Sequence, residues 1–173
     1  KIVILEKGAE VGSHGISGAV LDPIALTELI PDWKEREDFP LEQWVERESM
    51  IALTSETSGI EWPFLPPELH DTGKPIISIA KFQHWLADIA SERGIEILTG
   101  TAGWKLLYDE NGTVRGVRTR DRGLDTDGTP KEEYEPGADV KAKVTILGEG
   151  PRGTLSRQLM NQFKLQFGKN EMA

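Results

Sequence analysis

The spacing of apolar positions changes along this chain, and each change marks an element. Ile2, Val3, Ile4 and Leu5 run without interruption into Glu6, which predicts a strand over residues 1–6. Gly8, Gly12, Gly15 and Gly18 follow at close intervals and predict a loop over 8–18. Asp22-Pro23 reads as a helix start, with Ile24, Leu26, Leu29 and Ile30 as apolar positions and Pro31 as the stop. Residues 32–44 are mostly polar, hold three aromatics and a proline, and predict an irregular excursion. Two strands around a short turn are expected over 49–55 and 59–64, and another over 75–79 after the prolines at 63, 66 and 67.

The strongest helix signal lies at 80–93. Phe82, Trp85, Leu86, Ile89 and Ala90 share one face at 3- and 4-residue spacing, and Gly94 stands where the chain leaves the helix. The run 95–98 follows as a strand, so helix, glycine and strand predict a crossover back to a parallel sheet. Asn111-Gly112 predicts a hairpin of 101–108 with 113–118. The polar stretch 121–136 is a loop or the tip of a longer hairpin. Val140, Ala142, Val144, Ile146 and Leu147 predict a strand over 139–147 that becomes buried and ends in Gly148-Glu149-Gly150. A helix is expected over 156–163, starting as early as Arg152. The fold class is therefore α/β (α+β). One domain is expected in two parts, 1–48 and 80–165, with an inserted antiparallel β region at 49–79 and a tail at 166–173.

Composition narrows the function more than the fold. At 173 residues the chain can bury a sizeable core, and its 38% hydrophobic and 28% charged residues are those of a globular protein. No apolar run approaches the roughly 20 residues that span a bilayer. A net charge of −9 argues against nucleic acid and otherwise serves solubility. With no cysteine, the chain itself forms no disulfide and no Cys-ligated iron–sulfur cluster. His14, His70 and His84 are widely spaced and lack a metal-ligand pattern.

Three segments carry candidate chemistry. Glu6 ends its strand where, in a dinucleotide-binding unit, an acid hydrogen-bonds the adenosine ribose; the plainer reading is an exposed acid ending any strand. That acid normally lies about 20 residues after a Gly-x-Gly-x-x-Gly turn. No such turn stands before Glu6 here, so the domain is expected to lack its first βα unit. Residues 11–23 form a Gly/Ser loop whose glycines would let backbone approach a planar ligand or a pyrophosphate, or form an ordinary loop. Gly148, Glu149 and Gly150 join a strand to a helix whose N-terminus would face a pyrophosphate, although such junctions often carry glycines.

Taken with their order and spacing, these segments resemble the flavin domain of the electron-transfer flavoprotein–ubiquinone oxidoreductase family. The resemblance rests on Glu6-Lys7, GSHGISGAVLDP at 12–23, LIPDWK at 29–34, VTILGEG at 144–150 and GTLSRQL at 153–159. It implies an FAD-binding Rossmann-like domain of the glutathione-reductase/hydroxylase type, with 49–79 on the substrate or quinone side. It implies electrons taken from reduced electron-transfer flavoprotein and passed through FAD and a [4Fe–4S] cluster to ubiquinone. The cluster would be ligated outside this chain. Peripheral association with the bacterial cytoplasmic membrane, or with the matrix face of the mitochondrial inner membrane, is likewise implied.

By the same resemblance Glu6 binds ribose, with Lys7 beside it. Gly12, Ser17, Gly18, Ala19 and Val20 lie near the flavin and its ribityl chain. Ala102 meets the adenine through its backbone, and Gly148, Glu149 and Gly150 close on the pyrophosphate and ribityl part. No catalytic side chain is expected, because the flavin carries the chemistry. Trp85 is expected in the core. Trp62 and Phe64 border a quinone or flavin pocket, or simply pack. Two alternatives stand beside this reading: a related FAD-dependent reductase or hydroxylase of the geranylgeranyl-reductase kind, and a truncated, non-catalytic flavin-domain fragment. The isolated chain is expected to be inactive.

Overall fold

The computed structural model describes residues 1–150 and 152–165. Pro151, inside the late glycine-rich motif, and the tail at 166–173 lie outside the described residues. In chain order the elements are β1 (Val3–Leu5), β2 (Gly18–Val20), α1 (Ile24–Leu29), β3 (Leu41–Trp44), β4 (Ile51–Leu53), β5 (Gly59–Glu61), β6 (Pro75–Ser78), α2 (Ile79–Glu92) and β7 (Glu96–Leu98). Then come β8 (Gly103–Tyr108), β9 (Val114–Thr119), β10 (Arg122–Leu124), β11 (Pro130–Glu135), β12 (Asp139–Lys141) and α3 (Thr154–Phe163). They form several sheets of two or three strands. The chain divides into two units: residues 1–3 with 10–97, and residues 4–9 with 98–173. The division leaves the expected insertion, 49–79, in one unit with the chain on both sides of it.

In the first unit, β6 is the central strand of an antiparallel sheet in the order β2-β6-β3. Ile77 pairs with both Ala19 and Leu41. The strand runs directly into α2, where the Ser78 hydroxyl accepts from the Lys81 N–H at 3.5 Å. The predicted helical stripe buries Trp85 and Ile89 against Leu26, Ile30 and Trp33, with Phe82 and Leu86 packed beside them. At its end the Gly94 N–H bonds to Ser91 and the Ile95 N–H to Ala90, the paired bonds of a Schellman stop.

Sequence patterning missed two strands here. β2 lies at the end of the expected glycine loop, and β3 lies within the expected irregular excursion. Both are three or four residues long and are defined by pairing with the distant β6, which leaves no local period to read. The excursion is also more ordered than its polarity suggests. Trp33 is 1% exposed. Its ring lies 4.7 Å from Phe39, and Phe39 lies 5.3 Å edge-on from Trp85. The Trp33 indole N–H donates to the Thr27 hydroxyl at 3.0 Å, satisfying the polar atom in a buried ring. The expected strands at 49–55 and 59–64 are present as the antiparallel pair β4–β5, which forms its own two-stranded sheet.

In the second unit the predicted Asn-Gly hairpin is β8–β9, and β12 extends it on the far side of β9. Leu106, Val117 and Leu155 form the core, joined by Leu5, Val114, Leu147 and Leu159. The stretch at 121–136 is the second of its two expected forms, the hairpin β10–β11. One expectation fails. The strand predicted over 139–147 stops at Lys141, and Val144 and Ile146 are 77% and 89% exposed rather than buried. Apolar alternation alone does not make a buried strand: the Ala142 N–H still donates to the Arg115 carbonyl of β9 at 2.9 Å, but among the described residues 143–147 join no strand ladder, and of this run only Leu147 packs on the core cluster.

Replacing Trp33 with alanine is expected to destabilise the first unit by about 3–5 kcal/mol, because it empties an aromatic core position. Replacing Thr27 with valine is expected to cost about 1 kcal/mol by leaving the indole N–H without its acceptor. Urea unfolding followed by tryptophan fluorescence measures both, and equal losses in the two variants would contradict this ranking.

Candidate functional site

Glu6 leaves the end of β1 held from both sides. Its N–H donates to the Leu98 carbonyl at 2.9 Å, and its carbonyl accepts from the Thr101 N–H at 2.7 Å. Its carboxylate turns back to accept from the Gly8 N–H at 2.5 Å. The Gly8 carbonyl in turn accepts from the Gly100 N–H at 2.5 Å. One carboxylate oxygen is thus fixed by backbone, while the other has no protein donor among the described residues. Lys7 is exposed beside it. Ala102 follows the same turn, and its carbonyl accepts from the Arg120 N–H at 2.8 Å. Gly8, Gly100 and Thr101 are therefore part of this cluster. The sequence signal for them was a glycine shortly after each of two strand ends, Gly8 after β1 and Gly100 after β7.

Glu149 is placed at the other candidate position of the second unit, the N-terminus of α3. Gly153, at the cap position of this helix, offers no side-chain acceptor. The Glu149 carboxylate takes that part from outside the helix. It accepts from the Ser156 N–H at 2.8 Å, the Leu155 N–H at 3.2 Å and the Ser156 hydroxyl at 3.0 Å. A side chain at Gly153 would fall 2.6 Å from that carboxylate, so the position needs glycine. Partial burial works against ionisation of Glu149, but the N–H groups of Ser156 and Leu155, the Ser156 hydroxyl and the Thr154 N–H outweigh it. The carboxyl therefore ionises below the usual range for a glutamate. Gly148 and Gly150 flank it with open space where a Cβ would stand.

The Gly/Ser loop belongs to the first unit. Its glycines meet helix α2 closely. A Cβ on Gly12, whose φ is +81°, would stand 2.8 Å from the Ala80 carbonyl oxygen. One on Gly15 would stand 2.9 Å from the Gln83 amide oxygen. Close backbone approach is thus present, and the partner the structure provides is the first turn of α2. Ser17 joins the same junction through its carbonyl, which accepts from the Ile79 N–H at 3.1 Å. Gly18, Ala19 and Val20 form β2 against β6. Trp85 lies in the core. Trp62 and Phe64 are both exposed, with ring centroids 6.0 Å apart.

The two units together define a mixed α/β protein of small sheets. This fold is shared with a geranylgeranyl bacteriochlorophyll reductase-like protein of Thermoplasma acidophilum, at TM-score 0.51 and 20% identity over 83% of this chain and 32% of that one. It is shared also with THI4 of Thermovibrio ammonificans, at TM-score 0.53 and 10% identity over 96% of this chain and 54% of that one. At these identities the likeness concerns the fold alone. No protein-family model matches the chain.

Sequence relatives are more specific. The electron transfer flavoprotein–ubiquinone oxidoreductase of Pseudomonas aeruginosa is 44% identical over 167 residues, covering 95% of this chain and 30% of the relative. The mitochondrial proteins of the same name from Dictyostelium discoideum and Mus musculus are 40% and 38% identical over 96% of this chain and 27% of each relative. The chain is thus a homologue of one segment of the electron transfer flavoprotein–ubiquinone oxidoreductases, and spans less than a third of their length.

The Glu149 cap has a measurable consequence. Because its pKa is depressed in the fold, its stabilising effect on α3 is complete above the unfolded value of about 4.3 and is lost as pH falls through the lower folded value. A carboxyl-carbon NMR titration is expected to place the Glu149 midpoint below those of exposed glutamates. Ser156→Ala, which deletes one of the donors, is expected to raise that midpoint. A Glu149 midpoint indistinguishable from an exposed glutamate in both proteins would contradict the cap.

Proposed function

We propose that the chain is the larger part of the FAD-binding domain of a flavoprotein oxidoreductase that passes electrons from reduced electron-transfer flavoprotein to ubiquinone. The observation that carries this reading is the 44% identity over 95% of the chain to a protein of that name. The donor and acceptor groups of the second unit fit a nucleotide. Glu6 keeps one carboxylate oxygen open beside backbone that holds the other. Gly148 and Gly150 have no neighbour where a side chain would stand, and the N–H groups at the α3 terminus, held by the Glu149 carboxylate, already show that this end of the helix takes an anionic group.

In this reading the Glu6 carboxylate accepts from ribose hydroxyls, with Lys7 at the rim, and the Ala102 backbone meets the adenine. Gly148 to Gly150 line the pyrophosphate and ribityl part. In the first unit Gly12 and Ser17 to Val20 stand near the flavin ring. FAD, when bound, supplies the transfer of one or two electrons; the protein binds, orients and sets electrostatics. No side chain of this chain is assigned as acid, base or nucleophile. A [4Fe–4S] cluster would be ligated by residues other than these, which include no cysteine, and residues 49–79 are proposed to lie on the substrate or quinone side. No helix among the described residues is long and apolar enough to cross a membrane. Location at the bacterial cytoplasmic membrane or the matrix face of the mitochondrial inner membrane is proposed as peripheral. Weak flavin retention by the 173 residues alone is part of this proposal.

Gel filtration after incubation with FAD tests this directly. Flavin absorbance is expected to stay with the full-length polypeptide that carries this sequence and to leave the 173-residue chain. In the full-length protein, Glu6→Ala is expected to weaken FAD binding about tenfold or more, the scale of a hydrogen bond to a charged group. Fluorescence quenching of added flavin reads that change. A colourless full-length protein unable to oxidise reduced electron-transfer flavoprotein would overturn the reading.

A further inference from the structure

We propose that Arg122 is a positioning residue for the adenosine end of this site, acting on Glu6 through the turn at 99–101. The inference rests on the flavin-nucleotide reading above. The Arg122 guanidinium donates to the Thr99 carbonyl at 3.2 Å and to the Thr101 hydroxyl at 2.6 Å. The Thr101 hydroxyl donates onward to the Thr99 carbonyl at 3.0 Å, closing a small ring of bonds around the turn. Arg122 also lies over Gly100, 3.5 Å from the position a Cβ would take. The turn so held is the one that grips the Glu6 loop. Thr101 N–H bonds to the Glu6 carbonyl at 2.7 Å and Gly100 N–H to the Gly8 carbonyl at 2.5 Å. Gly8 N–H then fixes the Glu6 carboxylate. A continuous path of hydrogen bonds leads from Arg122 to the carboxylate proposed to meet the ribose.

Core packing does not explain the element that carries Arg122. Arg122 opens β10, whose Gly123 and Leu124 are half-buried, while all six residues of the paired β11 are exposed, and the hairpin adds no member to the core cluster of its unit. The Arg122 ion pair with Glu135 is 3.9 Å long and exposed on both sides, which contributes little to stability. The root of the hairpin is nevertheless fixed. Arg120 N–H bonds to the Ala102 carbonyl at 2.8 Å, and Asp121 accepts from the Gly137 N–H at 2.7 Å. The hairpin is thus a polar arm anchored at its root, with a guanidinium placed on the turn. A recognition carboxylate must be held to within about 0.5 Å by its supporting residues, which is the part assigned to Arg122.

The test uses the full-length polypeptide that carries this sequence, stripped of flavin. Dissociation constants are measured for FAD, for ADP as a probe of the adenosine half and for FMN as a probe of the flavin half. Arg122→Ala is expected to weaken ADP and FAD about tenfold and to leave FMN binding and the unfolding midpoint unchanged. Arg122→Lys, which keeps a cation able to reach one of the two acceptors, is expected to regain part of that loss. Thr101→Val, which removes the hydroxyl from the opposite side, is expected to match the alanine variant. ADP affinity unchanged in Arg122→Ala would overturn the proposal alone. Equal loss of ADP and FMN would overturn it too, by marking general damage. A wild-type protein that binds neither FAD nor ADP would remove the flavin reading and this proposal with it.

Discussion

The first unit depends on one junction, the passage from β6 to α2 at Ser78–Ile79. A strand paired on both edges has its position fixed by two ladders, so a helix that leaves it without a loop inherits that position. Ile77 takes part in both ladders, and two residues later the chain is helical. Trp85 and Ile89 then project onto Leu26, Ile30 and Trp33. The Gly/Ser loop is seated on the same place: Gly12 and Gly15 press on the first turn of α2, and Ser17 bonds to Ile79. The backbone that the family resemblance places near a flavin ring is therefore seated where the central strand of its unit passes into α2. Precision of that kind is what a site gains from being built on regular elements.

The second unit solves a different problem. Its core is a hairpin, β8–β9, covered on one face by α3 through Leu155. Its candidate residues stand at the ends of elements, not within them. Glu6 follows β1, Ala102 precedes β8, and Glu149 precedes α3. Such positions have backbone N–H and C=O groups without ladder partners, and these must be satisfied locally. Here each candidate acid does so. Glu6 takes the Gly8 N–H, and Glu149 takes those of Leu155 and Ser156. The acidic side chains thus help make the loops they occupy, and any role in binding is added to that structural one.

Elements whose period is written in adjacent residues were legible in the sequence. The stripe from Phe82 to Ala90, the Asn111-Gly112 turn and the Asp22-Pro23 helix start all concern contacts within a few residues. The Asp22 carboxylate indeed accepts from the Ile24 N–H at 3.2 Å, although Pro23 occupies the cap position. What could not be read was defined by distant partners. β2 and β3 exist because β6 lies between them, with paired residues 56–60 and 31–36 positions away in the chain. The burial of Trp33 needed α2 to be in place. The glycines of the 12–18 loop were legible as positions of close approach, but not as to what approaches: a glycine facing a ligand and one facing the Ala80 carbonyl look alike in sequence. For the candidate site, Glu6 and Glu149 were visible as acids beside glycines, while Gly100, Thr101 and Arg122 are linked to the Glu6 loop only through hydrogen bonds across the fold.

The stretch from Val144 to Gly150 brings these considerations to a point. Burying a branched aliphatic side chain contributes about 1.5–3 kcal/mol, so Val144 and Ile146, largely exposed here, hold an unused driving force for packing. Three residues on, Glu149 shows the opposite condition, with its carboxylate already supplied with donors at the N-terminus of α3. The two kinds of residue therefore respond to different partners. Apolar side chains are covered only by other apolar surface, such as further polypeptide. The N–H groups of α3 accept any well-placed anion, and an incoming one must displace a carboxylate tethered four residues from the helix cap. Its affinity is lowered by the free energy of that displacement. In the proposed flavin domain, packing over Val144 and Ile146 and binding at the α3 terminus would be coupled through the short segment that joins them.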